Sequence, residues 1–243
     1  MTNAESNHQL PPSILSLNLL TPLECEQTVT TIERLKSWWI PQKPGLPFYS
    51  LGSGSYFHAG ASQLLENSYH TQLKQYNPLL QKHFAWFYRR LAETLARYLD
   101  APICYPEHLA LPGFHIILAH PTFERPLADI HLDLQHQQHQ WHDGYHRQHI
   151  SFTLAVQLPQ FGAGMNYWNL HYDELEGRSL GEMKQMTQTR QKQFFPYQLG
   201  KLVLHSGLFA HQIAPFVEIQ PDDLRITLQG HGTCDRGVWH LYW

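Results

Sequence analysis

The stretch Asp129-Ile130-His131-Leu132-Asp133-Leu134 decides how this chain is read. On an extended strand, residues i and i+2 point to the same face. His131 and Asp133 therefore present an imidazole and a carboxylate side by side, and Leu132 and Leu134 turn to the opposite, apolar side. Alone, a His-x-Asp is weak evidence. The chain has 18 histidines, more than its 17 lysines and arginines together, so a chance match is expected. Its weight comes from what lies downstream.

Leu199-Gly200-Lys201-Leu202-Val203-Leu204-His205-Ser206-Gly207 reads as a turn and a strand, followed by Leu208-Phe209-Ala210-His211-Gln212-Ile213-Ala214-Pro215. Two ligands from one strand need a third to complete a two-histidine, one-carboxylate triad. Such a triad leaves coordination positions open and suits iron(II). His211 and His205 compete for the third place, and the order strand, turn, histidine, proline, then arginine favours His211. Asp129 reads as a loop acid rather than a ligand. Further on, Asp223-Leu224-Arg225-Ile226-Thr227-Leu228 alternates, placing Arg225 and Thr227 opposite Leu224, Ile226 and Leu228. An arginine pointing into a barrel requires an anionic partner, because an unpaired buried charge is costly. A bound dicarboxylate would supply it through a planar, bidentate pair, with the Thr227 hydroxyl adding a hydrogen bond.

The surrounding pattern is that of short strands. Phe114–Leu118 is apolar and β-branched, Ile150, Phe152, Leu154, Val156 and Leu158 alternate with smaller or polar residues, and Leu202–Leu204 and Leu224–Leu228 follow. Pro159, Gly162, Gly164, Gly200, Gly207 and Pro215 punctuate them. Several short strands with such turns predict a β-sandwich or jelly roll. Residues 1–20 read as an extended lead-in. Thr21-Pro22-Leu23-Glu24 reads as a capped helix start, running to Trp38 or Trp39. A second helix is expected from Asn77-Pro78 to Asp100, with an apolar stripe of Leu80, Phe84, Phe87, Leu91, Leu95 and Tyr98. Residues 173–198, charged and rich in Gln and Met, read as a partly helical insertion over one end of the barrel. The expected organisation is an N-terminal helical region, 1–108, packed on a core at 109–243, forming a single domain overall.

His131-x-Asp133, His211 and Arg225 together resemble the motif of 2-oxoglutarate/iron(II) dioxygenases, most closely the prolyl/lysyl-hydroxylase-like branch. The resemblance covers roughly residues 109–235 and includes the Gly-rich turn Gly162-Ala163-Gly164. It implies a mainly β protein with N-terminal helices and a double-stranded β-helix (jelly-roll, cupin-like) core. It also implies iron(II) on His131, Asp133 and His211, 2-oxoglutarate on Arg225 with Thr227, and O2 as the oxidant. That branch often has a tyrosine shortly before the His-x-Asp strand that helps hold the cosubstrate. Here the region offers His120 or His115, and His120 is the expected substitute.

Composition narrows the classes. The net charge is −3 and the basic residues form no run, which argues against a nucleic-acid partner. No apolar stretch approaches a membrane span, and the polar start has no apolar signal core, so a cytoplasmic protein without a membrane partner is expected. Cys25, Cys104 and Cys234 are widely spaced and show no CxxC pattern, which fits a reducing compartment. Leu51-Gly52-Ser53-Gly54-Ser55 lacks the spacing and lysine of a phosphate loop. His136, His139, His142, His146 and His149 read as a solvated loop rather than a second metal site. Trp239, Tyr242 and Trp243 are expected to close a sheet edge or pack on the N-terminal helices. Two other classes remain: a cupin-like metal-binding isomerase or sensor that makes no use of Arg225, and a non-catalytic domain with a decayed site. The substrate, whether a small molecule or a peptide, and the oligomeric state are not legible in the sequence.

Overall fold

The computed structural model describes residues 14–54, 63–138 and 148–243. Strand β1 (Leu15–Asn18) leads into helix α1 (Pro22–Arg34), followed by β2 (Ile40–Pro41), β3 (Phe48–Leu51), the long helix α2 (Gln63–Leu99) and β4 (Ile103–Cys104). The barrel strands are β5 (Gly113–Leu118), β6 (His149–Gln157), β7 (Gly164–His171), β8 (Lys192–Pro196), β9 (Lys201–His205), β10 (Phe209–Ile213) and β11 (Leu224–Asp235), with β12 (Val238–Tyr242) returning along β11. Short helices α3 (Tyr172–Leu175) and α4 (Leu180–Gln188) sit between β7 and β8.

Two sheets face each other. The larger has the order β1-β9-β6-β11-β5-β3-β2, with β12 beside β11 and β4 beside β12. The smaller has the order β10-β7-β8, extended by a bridge between His131 and His211. Along the chain, β5, the His131 segment, β6, β7, β8, β9, β10 and β11 pass between the two sheets, and neighbours pair antiparallel. This is the expected double-stranded β-helix.

Alternation sorts the two faces of the larger sheet. Phe114, Ile116, Ile150, Phe152, Leu154, Leu202, Leu204, Ile226 and Leu228 point outward and meet Ile32, Leu80, Phe84, Phe87, Leu91 and Leu95 of the helices in one apolar cluster. Each such side chain contributes about 1.5–3 kcal/mol on full burial. The intervening residues, Ser151, Thr153, His205, Arg225 and Thr227, are buried on the inner face.

Helix α1 begins as expected, with Thr21 capping, Glu24 closing the capping box and Pro22 in the first turn. Helix α2 differs from expectation. It starts at Gln63, carries Pro78 inside it and departs from helical geometry at Phe84 rather than at the proline. The proline is tolerated because buried Tyr69, Leu73 and Tyr76 carry the helix through it. Asn77 spends its side chain on the Leu109 carbonyl and the Leu111 amide. The region expected to be helical, 1–108, also supplies β1, β2, β3 and β4 to the larger sheet. The segment 173–198 holds the expected helix but ends in strand β8, which pairs with β7. Among the described residues, no helix is long and apolar enough to cross a membrane.

Gly200, at φ +74°, joins the N-terminal strand to the barrel. A Cβ there would lie 2.1 Å from the Leu20 carbonyl oxygen, and Leu19 and Leu20 both donate their amides to the Gly200 carbonyl. Gly177 has the same φ in open space. Gly200→Ala should therefore lower the unfolding free energy by roughly 2 kcal/mol or more, against about 1 for Gly177→Ala. Urea denaturation of both variants checks this, and equal losses would mean that the contact relaxes without cost.

Candidate metal and cosubstrate site

His131 and Asp133 do not lie on a regular strand. Three backbone hydrogen bonds hold them in an extended path: His131 N–H to the His211 carbonyl at 3.0 Å, His211 N–H to the His131 carbonyl at 3.0 Å, and Asp133 N–H to the Gly207 carbonyl at 2.9 Å. The i, i+2 relation survives, with Ile130 and Leu132 packing on the cluster of Trp168, Leu170 and Ala210, and Leu132 also lining the cavity. Gly207, at φ +74°, has no room for a side chain, since a Cβ would sit 2.8 Å from both Asp133 Cβ and Ser151 Oγ.

One ligand atom from each of His131, Asp133 and His211 lies within 4.8 Å of the others. His131 Nε2 is 3.7 Å from Asp133 Oδ1, and His211 Nε2 is 3.2 Å from Asp133 Oδ2. Both imidazoles are aimed by their far nitrogens. His131 Nδ1 sits 2.8 Å from the Asp129 carbonyl oxygen, and His211 Nδ1 sits 2.9 Å from that of Phe209. A carbonyl only accepts, so each Nδ1 carries the proton and each Nε2 offers its lone pair to the common point. This is the outer hydrogen-bonding arrangement typical of metal-bound histidine. The donor set fits a divalent first-row metal with open positions.

His205 is the contrasting case. It is buried, and its ring lies 4.9 Å from that of His211. Its Nδ1, however, accepts from the Gly207 amide at 3.0 Å. The neutral ring then carries its proton on Nε2 and has no free lone pair. Burial and the neighbouring His211 push its pKa down to about 3. Asp129 is spent on Lys184 at 2.8 Å and through its own carbonyl on His131.

The charges around the triad follow from burial and proximity. Burial alone would raise the Asp133 carboxyl, but His211, His231 and His131 hold it well below the usual range. Burial opposes a charged His211, but Asp133 outweighs it and raises the pKa. Burial and the neighbouring His211 lower that of His131. His231 is pushed down to about 4, first by burial, and shares a hydrogen bond with Ser151.

The triad opens onto a cavity of about 660 Å³. Arg225 is buried on the same inner face of β11 as Gln229 and His231, which line the cavity. Its terminal nitrogens donate to the carbonyls of Ala214 at 2.9 Å and Gly164 at 3.2 Å, and its Nε has no acceptor. It has no carboxylate partner among the described residues, and burial lowers its pKa to about 10. The Tyr197 ring, which lines the cavity, lies 5.5 Å from its guanidinium carbon. Thr227 is also buried here and accepts from Gln229, which in turn accepts from Thr153. This guanidinium, without a carboxylate among the described residues and with an orphaned Nε–H, fits the carboxylate of a bound anion.

His120 is not brought to the cavity. It caps a short turn, its Nδ1 accepting from the Thr122 amide, and its ring packs on Phe123. His115 lines the cavity instead, directly across from Thr227. Sequence reasoning also missed Tyr197, which lies between strands in a Gln/Phe-rich stretch, and Trp243. Of the His-rich segment, His136 and His149 stack at 4.0 Å, whereas His139, His142 and His146 lie outside the described residues.

No protein-family profile matches the chain, and no curated protein matches it significantly. Solved structures do. An N-substituted L-amino acid dioxygenase from Burkholderia ambifaria AMMD superposes with a TM-score of 0.59 at 13% identity, covering 95% of this chain and 86% of that one. The same enzyme in complex with alpha-KG gives a TM-score of 0.55, with 13% identity and the same coverages. At this identity the likeness is one of fold, the double-stranded β-helix.

The geometry separates the two neighbouring histidines by experiment. His211→Ala should weaken iron(II) binding by more than the 10–100-fold typical of an outer-sphere change, and His205→Gln by about 10-fold or less. Anaerobic metal titration reads both, and the reverse order would exchange their roles.

Proposed function

We propose that this chain is an iron(II)/2-oxoglutarate-dependent dioxygenase that hydroxylates an unactivated C–H bond of a small molecule, amino acid or peptide, releasing succinate and CO2. The observation that carries this reading is the convergence of His131, Asp133 and His211 at the mouth of a barrel that also buries Arg225 without a carboxylate. His131, Asp133 and His211 would hold iron(II), and Arg225 with Thr227 would hold the far carboxylate of 2-oxoglutarate. With iron, 2-oxoglutarate and O2 bound, the site would supply the oxidising power for C–H hydroxylation. The chain's own contribution is positional. The carbonyls of Asp129 and Phe209 fix both imidazoles, the Gly207 carbonyl fixes Asp133, and Leu132 packs on the apolar cluster of Trp168, Leu170 and Ala210.

The affinity to the prolyl/lysyl-hydroxylase-like branch rests on the order of His131, Asp133, His211 and Arg225, with the Gly-rich strand from Gly200 to Gly207 and the turn Gly162-Ala163-Gly164 beside them. A free amino acid or similarly small substrate suits a cavity of about 660 Å³ and accords with the fold's likeness to an amino acid dioxygenase.

A second reading, a cupin-like metal protein without 2-oxoglutarate chemistry, has one observation behind it. Arg225 already donates to two backbone carbonyls, and Tyr197 rather than Arg225 forms the cavity wall. Arg225→Ala decides between them. It should cut 2-oxoglutarate-dependent succinate release by about 100-fold, the loss expected for a charge-assisted pair, while iron(II) stays bound. Undiminished release would remove Arg225 from the cosubstrate site.

A further inference from the structure

One level of the barrel interior, away from Arg225, carries polar groups that the proposed metal and cosubstrate site leaves unused. Ser151 pairs with His205 on one side and with His231 on the other, so the adjacent strands β9, β6 and β11 present His205, Ser151 and His231 in one row. All three line the cavity. Arg225 and Thr227 are buried, whereas His231, on the same inner face, is half-buried and its ring gives onto the cavity. The extended strand from Arg225 to His231 spans about 20 Å. Between them, Gln229 is tied to Thr227 and Thr153, which divides the row from the cosubstrate's end.

Hydrogen bonds fix what these rings offer. The buried Ser151 hydroxyl lies 3.1 Å from His231 Nδ1 and has no other acceptor among the described residues. An unsatisfied buried hydroxyl is costly, so the hydroxyl donates, Nδ1 accepts, and His231 carries its proton on Nε2. His205 reaches the same tautomer through the Gly207 amide, which donates to its Nδ1 at 3.0 Å. Neither Nε2–H has an acceptor among the described residues. The row therefore offers two uncharged N–H donors. Among the described residues lining the cavity, the one lysine or arginine is Lys43, on the β2–β3 hairpin, and β5 lies between that hairpin and β11. The carboxylate that bears on both rings is that of Asp133.

Building on the dioxygenase reading, we propose that the substrate is a small amide-bearing molecule that sets neutral carbonyl oxygens on the Nε2–H of His231 and on that of His205. A carboxylate at this level would face Asp133 with no cationic side chain beside it, and a buried charge needs a partner of opposite sign. A carbonyl oxygen needs only a donor. The row holds the molecule to be oxidised, and Arg225 keeps the cosubstrate.

The test uses N-acetylglycine N-methylamide, which is neutral and has two amide carbonyls, and N-acetylglycine, its carboxylate counterpart. Each is titrated into the full chain loaded with manganese(II) and 2-oxoglutarate, and paramagnetic broadening of the acetyl methyl signal reads binding beside the metal. His231→Phe should weaken binding of the diamide by about 5-fold, the loss of one neutral hydrogen bond, and His231→Gln, which keeps a donor, should restore it. N-acetylglycine should respond to neither change. At position 205, His205→Gln keeps a donor near the place of Nε2 and should retain diamide binding, whereas His205→Asn keeps only the acceptor for Gly207 and should lose about 5-fold. A purely structural His205 gives the opposite order. Diamide binding unchanged in His231→Phe, or an equal loss for N-acetylglycine, would overturn the proposal. Should His231→Phe fail to fold, the two variants at position 205 still decide it. A separate titration with 2-oxoglutarate keeps the two readings apart. Cosubstrate binding without the diamide response overturns this proposal alone, and the diamide response on a manganese(II)-loaded chain that takes up no 2-oxoglutarate overturns the dioxygenase reading alone.

Discussion

The reciprocal pair of backbone hydrogen bonds between His131 and His211, each 3.0 Å long, is the constraint on which the site depends. The His131 segment is too short to be a strand, and only this bridge makes it the fourth member of the smaller sheet. The bridge brings two imidazoles from distant parts of the chain to a centroid separation of 4.5 Å. The next anchor, Asp133 N–H on the Gly207 carbonyl, sets the carboxylate between them. Because these anchors are main-chain, the position of the triad is fixed by sheet pairing rather than by the packing of long side chains. The price is a glycine at 207, the one residue type that fits against both Asp133 and Ser151.

Electrostatics divides the barrel interior into two regions. Near the triad, Asp133 is ionised among imidazoles that burial mostly keeps neutral, a setting that favours a cation. Deeper, Arg225 is a buried positive charge whose contacts are carbonyl oxygens and the face of Tyr197, a setting that favours an anion. A metal ion with a chelating dicarboxylate meets both demands at once. Neither region would be stable for the same reason if the other ligand type were placed in it, since a buried charge needs a partner of opposite sign.

Much of this was legible in the sequence. The alternation from Ile150 to Gln157 and from Leu224 to Leu228 fixed which side chains face inward, and the structure follows it residue by residue. The spacing of His131, Asp133 and His211 was equally readable, as was the preference over His205, although its physical reason was not. That reason is the Gly207 amide occupying the His205 lone pair, and it requires the turn geometry. The misses have a common cause. Strands β1, β2 and β8 are short edge elements, and β3 is a four-residue strand between β5 and β2; each forms because a neighbouring strand offers hydrogen bonds. Helix α2 runs through Pro78 because tertiary burial of Tyr69, Leu73 and Tyr76 outweighs one missing hydrogen bond. His120 is close in sequence to the site but belongs to a turn that leads away from it, and His115 reaches the cavity through its pairing with Thr227. Trp243 carries no local signal of a cavity wall, because the two glycines that seat it lie far from it in the chain.

The central claim is that the triad and Arg225 together bind 2-oxoglutarate to iron. It is tested most directly by adding 2-oxoglutarate to the iron(II)-loaded protein without oxygen and recording the visible spectrum. A weak charge-transfer band of a bidentate keto acid on iron, absent when His211 is replaced by alanine, is the predicted result. Iron bound with no such band would contradict the account and leave Arg225 in need of a different anion.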